Sequence, residues 1–236
     1  MNKYYDKIVD FQKSIKSYAT NIFKVYGKEL ILKLEEYNLL QNENNSIESS
    51  TAIGYILEEF IISKLETYTN CGKNKYSIKR NSGATTNKSY DCCSEKNKLC
   101  FLINIKAEKK GQKNNAVAAI GQLYNNYCLE NLDITKAYIV FKIKYSIKGE
   151  YGKPNNTKER HIYIEGLETY CLEEINFRDE HQQDNRKWSG NNKNTRNNGR
   201  LIISNSFRNS HKLPIEEISY ENTKAQLEII FKRNEN

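Results

Sequence analysis

The stretch Tyr90–Lys110, YDCCSEKNKLCFLINIKAEKK, constrains this chain more than any other. A short run headed by Asp91 meets the polar turn Ser94-Glu95-Lys96-Asn97-Lys98, and the apolar run Leu99–Ile103 follows, ending in Asn104-Ile105-Lys106. Two strand-like runs joined by a polar turn predict a hairpin. Side chains on a strand alternate between faces, so Asn104 and Lys106 share one face and Ile105 points into the core. Asp91, at the head of the partner strand, comes beside them. The pattern places a carboxylate, an amide and an ammonium on one patch of sheet.

The flanking segments have the periodicities needed to cover such a hairpin. In Thr51–Leu65, Ile53, Ile56, Leu57, Phe60, Ile61 and Leu65 form a broad apolar arc at helical spacing. Glu58 falls at the edge of that arc, where a carboxylate either reaches solvent or needs a partner or a metal. After the hairpin, Ala116–Glu130 reads as a helix burying Val117, Ile120, Leu123, Tyr124 and Tyr127, and Ala137–Lys144 reads as a strand. Strand, helix, strand in that order is the pattern of a parallel crossover.

Elsewhere, Ile8, Phe11, Ile15, Tyr18 and Ile22 form one helical stripe. Gly27 interrupts it, and Lys28–Leu40 reads as a second helical piece. This N-terminal arm packs on the core or forms a dimer contact. Gln41–Ser50 is a polar loop, and Tyr76–Lys79 the next strand. Arg160–Glu165 is a further strand, Leu167–Ile175 a short helix, and Glu221–Asn236 a closing amphipathic helix. The six cysteines show no CxxC pairing and no histidine at finger spacing, which argues against zinc and predicts reduced thiols. No run approaches the roughly 20 apolar residues of a membrane span, and the N-terminus has no apolar leader core, so a cytoplasmic location is expected.

With 37 Lys+Arg against 29 Asp+Glu, the chain carries a formal charge of +8, which suits a polyanionic partner. The excess is concentrated. From Asn185 to Ile215 there is no acidic residue, while Arg186, Lys187, Lys193, Arg196, Arg200, Arg208 and Lys212 lie within it. Trp188, Asn191, Asn192 and Asn197 are interleaved, and Leu201-Ile202-Ile203 is a strand that would anchor the segment. Arg and Asn hydrogen-bond base edges, and Lys and Arg neutralise phosphate.

The hairpin with Asp91 and the triplet Asn104-Ile105-Lys106 resembles the PD-(D/E)xK nuclease superfamily, and within it the type II restriction endonucleases. Tyr90 stands where that pattern has Pro, and Asn104 where it has a second carboxylate. The helix with Gly54 and Glu58 and the crossover to Ala137–Lys144 extend the resemblance over roughly residues 51–143. It implies an α/β fold, a restriction-endonuclease-like αβββαβ core with a mixed central sheet between helices, in a single domain over 1–236. The catalytic core would span about 51–144 and the DNA-recognition segment about 181–212. It further implies Mg²⁺ held by Asp91, Asn104 and the Ile105 carbonyl, with Glu58 assisting and Lys106 acting on the attacking water. The DNA contacts expected are Lys109, Lys110, Lys113, Arg186, Lys187, Trp188, Asn191, Asn192, Lys193, Arg196, Asn197, Arg200 and Arg208. The partners implied are double-stranded DNA, a second copy in a homodimer and, functionally, a cognate methyltransferase. A junction or repair nuclease of the same superfamily and a non-cleaving DNA-binding module are the alternatives. Asn104 leaves two possibilities open: Glu58 supplies the missing charge, or the chain is an inactivated form that Asn104→Asp would restore.

Overall fold

The computed structural model describes residues 2–33, 50–81, 88–148, 159–177, 182–184 and 199–233. Helix α1 (Lys3–Tyr26) opens on Asn2, whose side chain accepts a hydrogen bond from the Tyr5 amide at 3.1 Å. It ends at Gly27, whose φ of +84° is a left-handed conformation that glycine adopts without strain. The stripe predicted for it, Ile8, Phe11, Ile15, Tyr18 and Ile22, is its buried face.

The next segment differs from expectation. Glu29–Lys33 is a strand, β1, rather than the start of a helix; the rest of Lys28–Leu40 lies outside the described residues. Glu-Leu-Ile-Leu-Lys has an apolar centre compatible with either state, and antiparallel pairing with β7 (Glu159–Cys171), Leu30 opposite Ile162, decides it.

Helix α2 runs Ser50–Asn70 and strand β2 only Lys79–Arg80. Tyr76 and Ile78, expected in that strand, are instead core residues. The Ile78 amide donates to Thr69 Oγ1 at 2.9 Å, and Tyr76 Oη donates to Asp10 at 2.5 Å. The hairpin forms as predicted. Strand β3 is Cys92–Lys96, β4 is Leu99–Lys109, and Asn97 and Lys98 turn between them with φ of 51° and 60°. Strand β5 (Ala116–Ala119) takes the first residues of the expected helix 116–130. Helix α3 then covers Ile120–Tyr124, and a π-helical turn follows at Asn125–Leu129. Strand β6 is Thr135–Lys148. Leu167–Cys171, expected as helix, continues β7, because it pairs with Ile139–Ile143 of β6; a 3₁₀ turn at Leu172–Glu174 follows. Strands β8 (Gln182–Asp184) and β9 (Arg200–Ile202), helix α4 (Asn205–Ser210) and helix α5 (Tyr220–Arg233) complete the chain.

The main sheet has the order β1-β7-β6-β4-β3-β2. Strands β4 and β6 are parallel over eleven residue pairs, from Leu99↔Thr135 to Lys109↔Tyr145, and the other neighbours are antiparallel. The result is a mixed α/β fold with a mixed sheet flanked by helices. Alternation on β4 serves two apolar layers. Phe101, Ile103, Ile105 and Ala107 join α1 and α2, where Phe11 stacks on Phe101 at 4.0 Å. Leu102 faces the other layer, with Tyr138, Val140, Leu123, Leu227 and Ile230. A strand buried on both faces reads as a nearly continuous apolar run, which is why LCFLI lacks alternation. A second sheet, β5-β9-β8, lies beside the C-terminal end of β4. No helix among the described residues is long and apolar enough to cross a membrane.

Candidate functional site

The site grows from a mismatch in strand length. Strand β3 pairs with β4 only as far as Cys92↔Ile103, and the Asp91 amide adds one more bond to the Ile103 carbonyl at 2.9 Å. Beyond that point β4 continues six residues, still paired with β6, and no strand among the described residues pairs with its other edge. Unpaired backbone N–H groups need acceptors, and two carboxylates provide them. Asp91 Oδ2 accepts from the Ile105 amide at 2.7 Å, and Glu58 Oε1, one turn after Gly54 on α2, accepts from the Ala107 amide at 2.7 Å. A strand residue's N–H and C=O leave on the same side. The Ile105 carbonyl therefore points to this edge too, between the two carboxylates. Each carboxylate has one oxygen on the backbone, and both residues line the cleft.

That cleft has a volume of about 560 Å³ and is lined by Glu58, Asp91, Asn104, Lys106, Lys113 and Arg200 among others. Burial pushes both the Asp91 and Glu58 carboxyls above the usual carboxylate range, and the nearby Lys106 ammonium opposes that rise in each case. Repulsion between the two acids adds to the effect at Glu58. A cation placed between them would relieve both burdens. Among the described residues no third His, Cys, Asp or Glu joins the pair.

Asn104 sits behind these groups, 3% exposed. Its Nδ2 lies 3.0 Å from the Ser89 carbonyl, 2.7 Å from the Val117 carbonyl and 2.8 Å from Tyr138 Oη. Tyr138 Oη in turn donates to the Ser89 carbonyl. The Ser89 amide donates to Asn126 Oδ1 at 2.7 Å. Two backbone carbonyls and a hydroxyl oxygen around one nitrogen make a cradle for an amide donor, and they fix which end is nitrogen. Asn104 Oδ1 is buried with no hydrogen-bond partner among the described residues. The cradle's acceptors suit the amide nitrogen that Asn104 presents to them.

The rim is cationic. Lys109 reaches the cleft from the end of β4, Lys113 from the loop that follows and Arg200 from β9; Lys110 is exposed beside them. Glu108 holds this loop by accepting from the Asn114 amide at 3.2 Å, and Asn114 Nδ2 donates to the Ala107 carbonyl at 3.2 Å. Glu108 also pairs at 2.9 Å with Lys142, which is otherwise fully buried one strand away. Arg208 departs from the expected DNA contacts. Its side chain is only 13% exposed, is paired with Glu168 and lies 4.5 Å from the Tyr170 ring. Burial alone would raise the Glu168 carboxyl, but hydrogen bonds from Lys144 and Arg208 hold it at about 2. Arg208 is therefore part of an internal charge network. Arg186, Lys187, Trp188, Asn191, Asn192, Lys193, Arg196 and Asn197 lie outside the described residues. The residues bracketing them are paired, Asp184 opposite Arg200, and Arg200 borders the cleft.

Sequence reasoning missed Tyr55, Gln122 and Tyr138. Tyr55 is exposed at the cleft three residues before Glu58, and Gln122 also lines the cleft. Tyr138 carried no local signal, because its role depends on the parallel register that sets it opposite Leu102. No protein-family model matches this chain, and no curated protein does.

Proposed function

We propose that this protein is a Mg²⁺-dependent endonuclease that hydrolyses phosphodiester bonds in double-stranded DNA, working as a type II restriction enzyme on a PD-(D/E)xK-like core. The observation that carries the reading is the open edge of β4, where Asp91 and Glu58 bond successive outward amides with Lys106 between them. The donor set fits the ion. Mg²⁺ takes hard oxygen ligands, is usually held by one or two carboxylates, and keeps several waters. Asp91 and Glu58 would supply the charge, and the Ile105 carbonyl and the unpartnered Asn104 Oδ1 the neutral oxygens. When bound, the ion screens the phosphate charge and makes a bound water more acidic. Lys106 then orients the attacking water and stabilises charge developing on the phosphate. Lys109, Lys113 and Arg200 neutralise neighbouring phosphates, and the acid-free segment 185–199 reads bases.

A double-strand break from single-strand sites is most simply made by two copies related by a twofold axis, so the active form is a homodimer on a palindromic site. The mass of the DNA complex in light scattering checks this; a monomer on cognate DNA would sink it.

The test is digestion of plasmid DNA of varied sequence with Mg²⁺, which should give discrete fragments. Asp91→Asn, which keeps an acceptor for the Ile105 amide, and Lys106→Ala should each remove cleavage by at least about 100-fold while retaining DNA binding. Cleavage that survives both changes would refute the site. DNA binding without any cutting by the unaltered chain would favour the non-cleaving module, in which two carboxylates and an amide do not suffice for hydrolysis.

A further inference from the structure

A second chemical grouping lies on the same hairpin and plays no part in that reading. Strand register sets Cys93 opposite Leu102, and Cys100 is two residues before Leu102. Opposite residues share a face, as do residues two apart on a strand, so the two cysteines are diagonal neighbours on one face. Their sulfurs lie close enough to influence each other electrostatically. Both are half-buried and reachable from solvent, whereas Cys92, Cys128 and Cys171 are buried and Cys71 is exposed without a thiol neighbour in this pair. Lys79 lies opposite Cys93 on β2, so a cation faces the sulfur that meets an incoming reagent.

We propose that Cys93 and Cys100 are a dithiol modification site, which a hydroperoxide converts to a disulfide across the β3–β4 hairpin. One sulfur donates an electron pair to the outer peroxide oxygen, the O–O bond breaks, and a sulfenic acid and an alcohol (or water) result. The second thiol's sulfur attacks the first, the S–O bond breaks, and water leaves as the S–S bond forms. The peroxide is reduced, and the two thiols together lose two electrons and two protons. Diagonal strand neighbours have Cα atoms about 7–8 Å apart, just beyond the usual span for a disulfide of about 4.4–6.8 Å. The strands must draw together, so the bond is strained and easily reversed by a thiol reductant. Asp91 is two residues from Cys93, so that movement reaches the carboxylate at the β4 edge.

The experiment uses the full reduced chain treated with hydrogen peroxide, followed by alkylation of remaining thiols and peptide mapping without reduction. Two of the six thiols should be lost, with one cross-linked product joining the peptides of Cys93 and Cys100 and disappearing on treatment with dithiothreitol. Phenylarsine oxide, which bridges adjacent thiols, should protect the same two from alkylation in the unaltered protein, so the result does not depend on any variant folding. In Cys100→Ser the disulfide should be replaced by a sulfenic acid on Cys93 that dimedone traps. Oxidation confined to Cys71, or arsenical and peroxide both leaving Cys93 and Cys100 freely alkylated, would overturn the proposal.

Discussion

Asn104 holds the amide end of its side chain against the carbonyls of Ser89 and Val117. A carboxylate in the same place would set an anionic oxygen 2.7 Å and 3.0 Å from two carbonyl oxygens, with no hydrogen to offer them. Leaving buried acceptors facing one another costs about 1–3 kcal/mol each. Asn104→Asp is therefore expected to destabilise the protein by roughly 3 kcal/mol at pH 8. It should do so less in acid, where a protonated carboxyl can donate one bond. Urea unfolding at both pH values reads this directly. A variant as stable as the parent that also cleaves DNA faster would mean that position 104 is a carboxylate site after all. Metal binding follows the carboxyls that remain. Burial holds Asp91 and Glu58 above the usual carboxylate range, so protons compete for them at a higher pH than for exposed acids. Mg²⁺ affinity should fall as pH drops, beginning above the ordinary carboxylate range, and calorimetry across that range shows whether it does.

At the scale of elements, the site is a product of unequal lengths. Strand β4 outruns β3, and α2 crosses its open edge closely enough for Glu58 to bond the Ala107 amide. Gly54 marks that crossing. A Cβ built there would meet Ala107 Cβ at 3.6 Å and Tyr145 Oη at 3.9 Å, which is ordinary van der Waals contact rather than a clash. Glycine in a helix interior is less favourable than alanine by about 1 kcal/mol. Gly54→Ala should thus stabilise α2 by roughly 0.5–1 kcal/mol, measured as a rise in the urea midpoint with unchanged slope. A loss of stability would show that α2 approaches β4 more tightly than the contact distances allow.

For the whole molecule, pH acts through a carboxyl remote from the cleft. Glu173 is fully buried; its Oε1 accepts from Tyr127 Oη at 2.7 Å and from the Tyr138 amide at 2.8 Å. Oε2 has no partner among the described residues. Burial pushes its carboxyl up to about 7, against 4.5 for a free glutamate. A raised pKa means that the folded state holds a proton that the unfolded chain has given up. The stability this group contributes is complete below pH 4.5 and is lost as pH rises towards 7. At about 1.4 kcal/mol per unit the swing is on the order of 3 kcal/mol. Glu173→Gln should abolish that part of the pH dependence and be no less stable than the parent at pH 8. Chemical denaturation of both proteins between pH 4.5 and pH 8 makes the comparison. Parallel stability curves would rule out the assignment.

Much of this was written into the chain locally. The stripe of α1, the helix bearing Glu58 and the Asn97-Lys98 turn follow from spacing and composition. So does the face shared by Asn104 and Lys106, because period and turn chemistry are properties of consecutive residues. The parallel partnership of β4 and β6 was legible from the order of elements. Other features depended on partners far away in sequence. Glu29–Lys33 became a strand because β7 offered an edge, and Leu167–Cys171 stayed a strand because β6 ran long enough to pair with it. Arg208 reads as a free cation in sequence, yet turns inward because Glu168 and Tyr170 stand beside it. The amide cradle of Asn104 draws Ser89, Val117 and Tyr138 from three separate segments. Sequence determined which residues share a face. Only tertiary packing decided what each face meets, because hydrogen bonds and ion pairs are chosen by the neighbours that folding brings within about 3 Å.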